Sequence, residues 1–137
     1  MIQTRKPSRP GAAVVELAIL LPFLTFMFVI AVDWARIFYY SVTITNCARQ
    51  GALYGSDPFT AAQSPYASIQ EAALADSPNL NPQPTVTSSN GVDASGNSYV
   101  AVTVSWPFST LTNFPGVPGQ VNVSRTVQMR VAPTIPR

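Results

Sequence analysis

Apolar positions are distributed very unevenly along this chain. Residues 12–32 form an apolar run interrupted by one charge, Glu16, and one proline, Pro22. At about 1.5 Å of rise per residue, a helix of that length spans roughly 30 Å, the thickness of a bilayer's hydrocarbon core. Backbone groups in lipid must bond within their own segment, so the run predicts a membrane-spanning helix. Past Val32 the spacing turns amphipathic without a break. On a 3.6-residue wheel Trp34, Ile37, Phe38, Ser41, Ile44, Ala48, Gly51 and Ala52 share one face, opposite Arg36, Thr43, Asn46 and Gln50. One helix from Ala12 to Tyr54 is predicted, with Gly55 as its stop. Its stripe starts bulky and ends small, so another element should approach closely near Ala48 and Gly51.

Beyond residue 55 the pattern changes. Ser64-Pro65 reads as an N-cap followed by proline at the first helical position, opening a short helix to about Ala75 with Tyr66, Ile69, Ala73 and Leu74 inward. Pro78, Pro82 and Pro84 then lead into three strand candidates, Thr85–Ser89, Ser98–Trp106 and Gln120–Val131. In the second, Val100, Val102, Val104 and Trp106 alternate with Tyr99, Ala101, Thr103 and Ser105. In the third, Val121, Val123, Val127, Met129 and Val131 share a face with a discordant Arg125 that would have to reach an edge. Period two with one apolar face predicts a small antiparallel sheet. The fold class is therefore α+β: a long N-terminal helix, membrane-embedded in its first half and amphipathic in its second, packed on a short helix and a three-stranded antiparallel sheet. The divisions are 1–11, a basic leader; 12–32, the membrane helix; 33–55, its amphipathic continuation; and 56–137, a small α+β domain.

Composition agrees with a membrane or secreted chain. Of 137 residues only 10 % are charged, against roughly a quarter in an average soluble domain. The net charge of +2 owes its sign to Arg5, Lys6 and Arg9, ahead of the apolar run, whereas Asp33 and Arg36 nearly cancel after it. The positive-inside rule then places the N-terminus in the cytoplasm and the C-terminal domain outside. A cleaved secretory signal would need a shorter apolar core and a small-x-small site after it, and Asp33-Trp34-Ala35-Arg36 supplies none. Pro22 removes a backbone donor and should loosen the helix near Ala18–Leu21, as a tolerated kink or as a weak point that unwinds on leaving lipid.

Candidate chemistry is sparse. With no His there is no triad or histidine metal cluster, no phosphate loop is present, and no basic stripe suggests nucleic-acid binding. The carboxylates after residue 55 are scattered. Asn90–Asn97 is oxygen-rich but holds one carboxylate, too few for Ca²⁺, and reads as a hairpin connection. Cys47 has no partner in the chain and reads as a small buried group, with an intersubunit disulfide or lipid attachment as sharper alternatives. What stands out is Glu16, five residues after Gly11. A charge inside lipid costs a few kcal/mol, so such residues generally have a partner and a task.

The segments Arg9-Pro10-Gly11-Ala12-Ala13-Val14-Val15-Glu16-Leu17-Ala18, Asp33-Trp34-Ala35-Arg36 and Asn46-Cys47-Ala48-Arg49-Gln50-Gly51-Ala52-Leu53-Tyr54 resemble the TadE-like family, pseudopilins of the bacterial tight-adherence (Tad, or Flp) pilus machinery. The resemblance covers about a third of the chain. It implies a pilin-like fold and a prepilin peptidase cut between Gly11 and Ala12, leaving Glu16 as the fifth mature residue. The new α-amino group, largely protonated near neutral pH, can pair with Glu16 of an adjacent subunit and set axial register. Pro10 departs from the basic residue common there, and Leu17 from the aromatic that follows the glutamate in major Flp-type pilins, which favours a minor or accessory role. The other reading of Glu16 is an interfacial carboxylate favoured by the helix N-terminal dipole.

The function expected is assembly without catalysis or cofactor, in the bacterial inner membrane and, once assembled, in an extracellular filament. Its partners would be the prepilin peptidase, other pilins or pseudopilins, the assembly platform and the lipid bilayer, with no nucleic acid and no small-molecule substrate. Gly11 and Ala12 would serve processing, Glu16 register, and Pro22 with the Trp34–Ala52 stripe helix packing. The competing expectation is a permanently anchored, single-pass extracytoplasmic binding or structural protein that never polymerises. A membrane-tethered enzyme finds little support in this residue inventory.

Overall fold

The structure, a computed structural model, describes residues 10–111 and 119–133. The expected leader with Arg5, Lys6 and Arg9 lies outside the described residues. The fold is α+β: a long helix, two short helices and one three-stranded antiparallel sheet. Helix α1 (Pro10–Ser56) runs 47 residues, with Pro22 inside it and no break in its helical assignment. Near the proline, the Thr25 hydroxyl donates to the Leu21 carbonyl at 2.8 Å.

Gly55 does not end the helix. The chain stays helical through Ser56 and stops at Asp57-Pro58, because a residue before proline is pushed out of the helical region. Asp57 is extended (φ −129°, ψ 93°), and its carboxylate accepts the amides of Phe59 and Thr60, capping helix α2 (Pro58–Gln63). The expected Ser64-Pro65 start is likewise corrected. Ser64 is the C-cap of α2, and the next N-cap is Ser68, whose hydroxyl accepts the Glu71 amide to open helix α3 (Ile69–Leu74). Glu71 reaches back to the Ala67 amide at 2.8 Å, so the side chains at both ends of this turn satisfy the first amides. Of the residues expected inward, Ala73 is fully buried and Ile69 packs on the core, while Tyr66 remains 37 % exposed. Ala72 takes an inward place instead.

Strands β1 (Thr85–Val92), β2 (Ser98–Ser109) and β3 (Gln120–Arg130) pair in the order β1-β2-β3. Two strands outrun their sequence limits, for different reasons. β1 continues through Asn90-Gly91-Val92 because Asp93 gathers the loop by itself. Its carboxylate accepts the amides of Ser95 and Asn97, and Gly96 supplies the positive φ (80°) the turn requires. β2 continues past Pro107 because β1 pairs with it only up to Ser105. Beyond that point one side of β2 needs no amide donor, so proline is tolerated.

The core lies between the outer half of α1 and the inward face of the sheet. Val100, Val102, Val104, Trp106 and Phe108 from β2 and Val123 from β3 meet Ile44, Cys47, Ala48 and Ala52 from α1. The outward face carries hydroxyl pairs, Thr103 with Thr126 (2.8 Å) and Ser105 with Ser124 (3.0 Å). Arg125 opposes Val104 on the helix side of the sheet, yet it stays exposed and its guanidinium donates to Ser41 on α1. The discordant charge thus bridges sheet edge and helix. Contact is close at Gly51, where an added Cβ would stand 3.0 Å from Ala73 Cβ and 3.1 Å from Val102.

Two measurements follow from this packing. Gly51→Leu should destabilise the detergent-solubilised chain by about 1–3 kcal/mol, the usual cost of overpacking, read as a lower midpoint in urea. The Thr60 hydroxyl and the cap amides hold the Asp57 carboxyl below the usual carboxylate range, and the Asn97 amide with the rest of its loop does the same for Asp93. For a depressed carboxyl the stabilisation is complete above the unfolded pKa and is lost as pH falls through the folded one. Melting temperature should therefore fall more steeply below about pH 4 in the parent than in an Asp57→Ala, Asp93→Ala double variant.

Candidate functional site

Residues 11–25 of α1 are exposed throughout, and half-buried positions begin only at Phe26, Val29 and Ile30. The helix's most apolar window has a mean hydropathy of 2.5 and is 0 % buried. Val14, Leu17, Ile19, Phe23, Leu24 and Phe28 are each more than half exposed. Burying one such side chain is worth about 1.5–3 kcal/mol, so this half-helix as a whole disfavours water by tens of kcal/mol. The helix is compatible with a single-pass membrane anchor.

Glu16 lies exposed within that surface, about 7.5 Å along the axis from Gly11. It makes no ion pair among the described residues. Gly11, Ala12 and Pro22 are exposed too, and nothing lies within 4 Å of where a Cβ on Gly11 would be. Every group in this region is thus presented outward, to whatever surrounds the helix.

The packing stripe differs from the sequence reading at its lower end. Ile44, Ala48 and Gly51 are buried and Ile37 packs on the core, but Trp34 is 70 % and Phe38 73 % exposed. Each residue advances about 100° around a helix. The inward line runs through Asp33, Ile37, Tyr40, Ile44, Cys47 and Gly51, which rotates Trp34 and Phe38 off it.

Asp33 explains the rotation. It is 4 % exposed, and its two carboxylate oxygens accept the Leu111 amide at 2.9 and 3.0 Å, across 78 residues of sequence. Arg36 donates to the same carboxylate at 3.0 Å and lies 4.9 Å above the Phe108 ring. Tyr40 stacks beside this pair, 4.7 Å from Trp106 and 5.7 Å from Phe108 between ring centres. Trp106 donates its indole N–H to the Pro82 carbonyl at 2.7 Å. Neither Asp33 as an acceptor nor Tyr40 as a core residue was expected; the available signal was a lone acid directly after an apolar run, followed by an arginine three residues on.

Elsewhere the structure assembles little that reacts. Cys47 is buried, and desolvation raises its thiol's pKa, against a hydrogen bond with Ser77 that lowers it. A cleft of 420 Å³ beside α2 includes Tyr54, Asp57, Thr60 and Tyr66, but the Asp57 carboxylate there is engaged in capping. Among the described residues no group of His, Cys, Asp and Glu is placed to hold a metal.

Residues 11–53 match the family model described as TadE-like protein, about a third of the chain. The matched stretch begins at the glycine before Ala12 and ends where α1 meets the sheet's upper core. No curated protein and no solved structure matches this chain.

Asp33→Ala would leave the Leu111 amide without its acceptor and the Arg36 charge without its partner. The loss should be about 1–3 kcal/mol, and hydrogen exchange should show the Leu111 amide losing protection while amides in β1 keep theirs.

Proposed function

We propose that this chain is a membrane-inserted minor pilin or pseudopilin that takes part in assembling a Tad/Flp-type pilus or secretion apparatus, acting by association and not by catalysis. The observation that carries this reading is a bare, apolar half-helix holding one outward carboxylate, within a stretch that matches the TadE-like model. A helix evolved only as an anchor has no use for a charge at that depth, which costs a few kcal/mol. A helix that must later align with others does.

In this reading a prepilin peptidase removes residues 1–11, cutting between Gly11 and Ala12. The protein waits in the bacterial inner membrane with its N-terminus cytoplasmic and the α+β domain outside. On incorporation, residues 12–32 pass from lipid into a bundle of pilin helices at the assembly platform. Glu16 then meets the ammonium of a neighbouring Ala12. In a dry bundle neither charge is tolerable alone, and together they fix the axial offset between subunits. Pro22 gives the helix a missing hydrogen bond at which to adjust. The exposed face bearing Trp34 and Phe38 becomes available to neighbours only once the chain has left the bilayer, while Ile37, Ile44, Ala48 and Gly51 hold the subunit's own domain.

Mass spectrometry of the chain from its host should give Ala12 as the mature N-terminus. Retention of residues 1–11 with the peptidase present would favour the permanently anchored alternative. Breaking a buried pair costs about 3–5 kcal/mol, so Glu16→Gln should insert normally yet enter the apparatus at well under a tenth of the parent level. Undiminished entry would leave the glutamate a purely interfacial role.

A further inference from the structure

The span reading leaves a band of bulky side chains unexplained at its outer end. Trp34, Phe38 and Tyr39 are 70 %, 73 % and 67 % exposed, and none is needed by the core. Leu111, on the loop after β2, is 62 % exposed at the level of Asp33, to which its amide is bonded. We infer that these four side chains seat the domain's lower rim in the headgroup layer of the bilayer that the helix crosses. The inference rests on the reading of residues 12–32 as a membrane span.

Height is the first argument. Trp34 and Tyr39 lie two and seven residues past Val32, about 3 and 10 Å along the axis. The polar layer outside the hydrocarbon is about 5–8 Å thick on each side. The band therefore begins inside that layer and its backbone ends a few ångströms beyond it, with helical side chains slanting back toward the N-terminus and so toward the layer. Chemistry is the second. Trp and Tyr pair an apolar ring with one polar tip, which suits a boundary wet on one side only.

Charge is the third. From residue 33 to residue 48 the only charged side chains are Asp33 and Arg36, and they neutralise each other within the domain. A free Asp33 at this depth would repel the domain from lipid. Tied to Leu111 and Arg36, it presents no charge outward and draws a second element down to the same level. The helix offers aromatics on the side away from the sheet, and the loop offers a leucine on the sheet side. Apolar groups thus flank the helix from two directions at one height. Bulk also argues against a second copy as the occupant, since close helix pairs in membranes favour small residues.

The test uses the full chain in phosphatidylcholine vesicles at high lipid dilution. The Trp34 signal is the difference between the parent and Trp34→Phe, which removes the contribution of buried Trp106. That signal should be lost more strongly to lipids brominated near the headgroup than to lipids brominated near the chain end. An environment-sensitive dye on Leu111→Cys, in a Cys47→Ala background, should shift to the blue on reconstitution; a second dye site at Thr87→Cys, on the far part of the sheet, should not. Three results would overturn the inference. Trp34 emission quenched freely from water and untouched by brominated lipid, with the chain resistant to alkaline carbonate extraction, defeats it while leaving the span intact. Shielding of Trp34 that appears only at high protein density assigns the band to another copy. Release of the chain by carbonate removes the span itself, and the seat with it.

Discussion

One continuous helix carries two kinds of surface, an apolar exposed one and a core-packed one, and the structure is arranged around the point where they meet. From residue 11 to residue 25 every residue of α1 is exposed, whereas above Asp33 one face is the floor of the domain's core. The exchange begins at Phe26, where half-buried positions first occur, and is complete at Asp33. A buried carboxylate is expensive unless fully bonded, and Asp33 is bonded by an amide from the loop after β2 and a guanidinium from its own helix. That junction sets the helix's rotation about its axis. The rotation in turn decides which side chains enter the core and which face outward.

The remaining packing follows from this orientation. Large rings fill the space near the junction, where Tyr40, Trp106 and Phe108 cluster. At the other end Gly51 and Gly55 admit Ala73, Val102, Ile69 and Val100 at 3.0–3.1 Å from where a Cβ would stand. The wedge-shaped gap between helix and sheet is filled from its wide end to its narrow one by side chains of decreasing size. Each short helix is then fixed by its own cap, Asp57 for α2 and Ser68 for α3.

Much of this was legible in the residues because it depends on local periodicity. The alternation from Val100 to Trp106 marks β2 and its buried face, and the unbroken helical spacing from Ala12 into the fifties marks α1. Errors arose where a local signal had a stronger neighbour. Gly55 looked like a stop, but Asp57-Pro58 overrides it; Ser64-Pro65 looked like a start, but Ser68 with Glu71 satisfies more amides. Pro107 looked like the end of a strand, and only the short reach of β1 shows why β2 passes through it and buries Phe108. Asp33 was visible merely as a charge beside the apolar run, since its bond to Leu111 joins positions far apart in sequence. Glu16 was conspicuous for the opposite reason, as its meaning under the proposed function lies in another molecule altogether.

The way helix and sheet are joined also bears on how force would travel through the subunit. β2 is fastened to α1 at both ends, by rings at the lower end and by near-contact with glycine at the upper, and Arg125 ties the flanking strand to Ser41. Among the described residues, β2 runs unbroken between these fastenings. The rod and the sheet therefore form a crank: under the proposed function, twisting the shaft within its bearing would swing the blade through the same angle, carrying torque along the span into the domain with little slack.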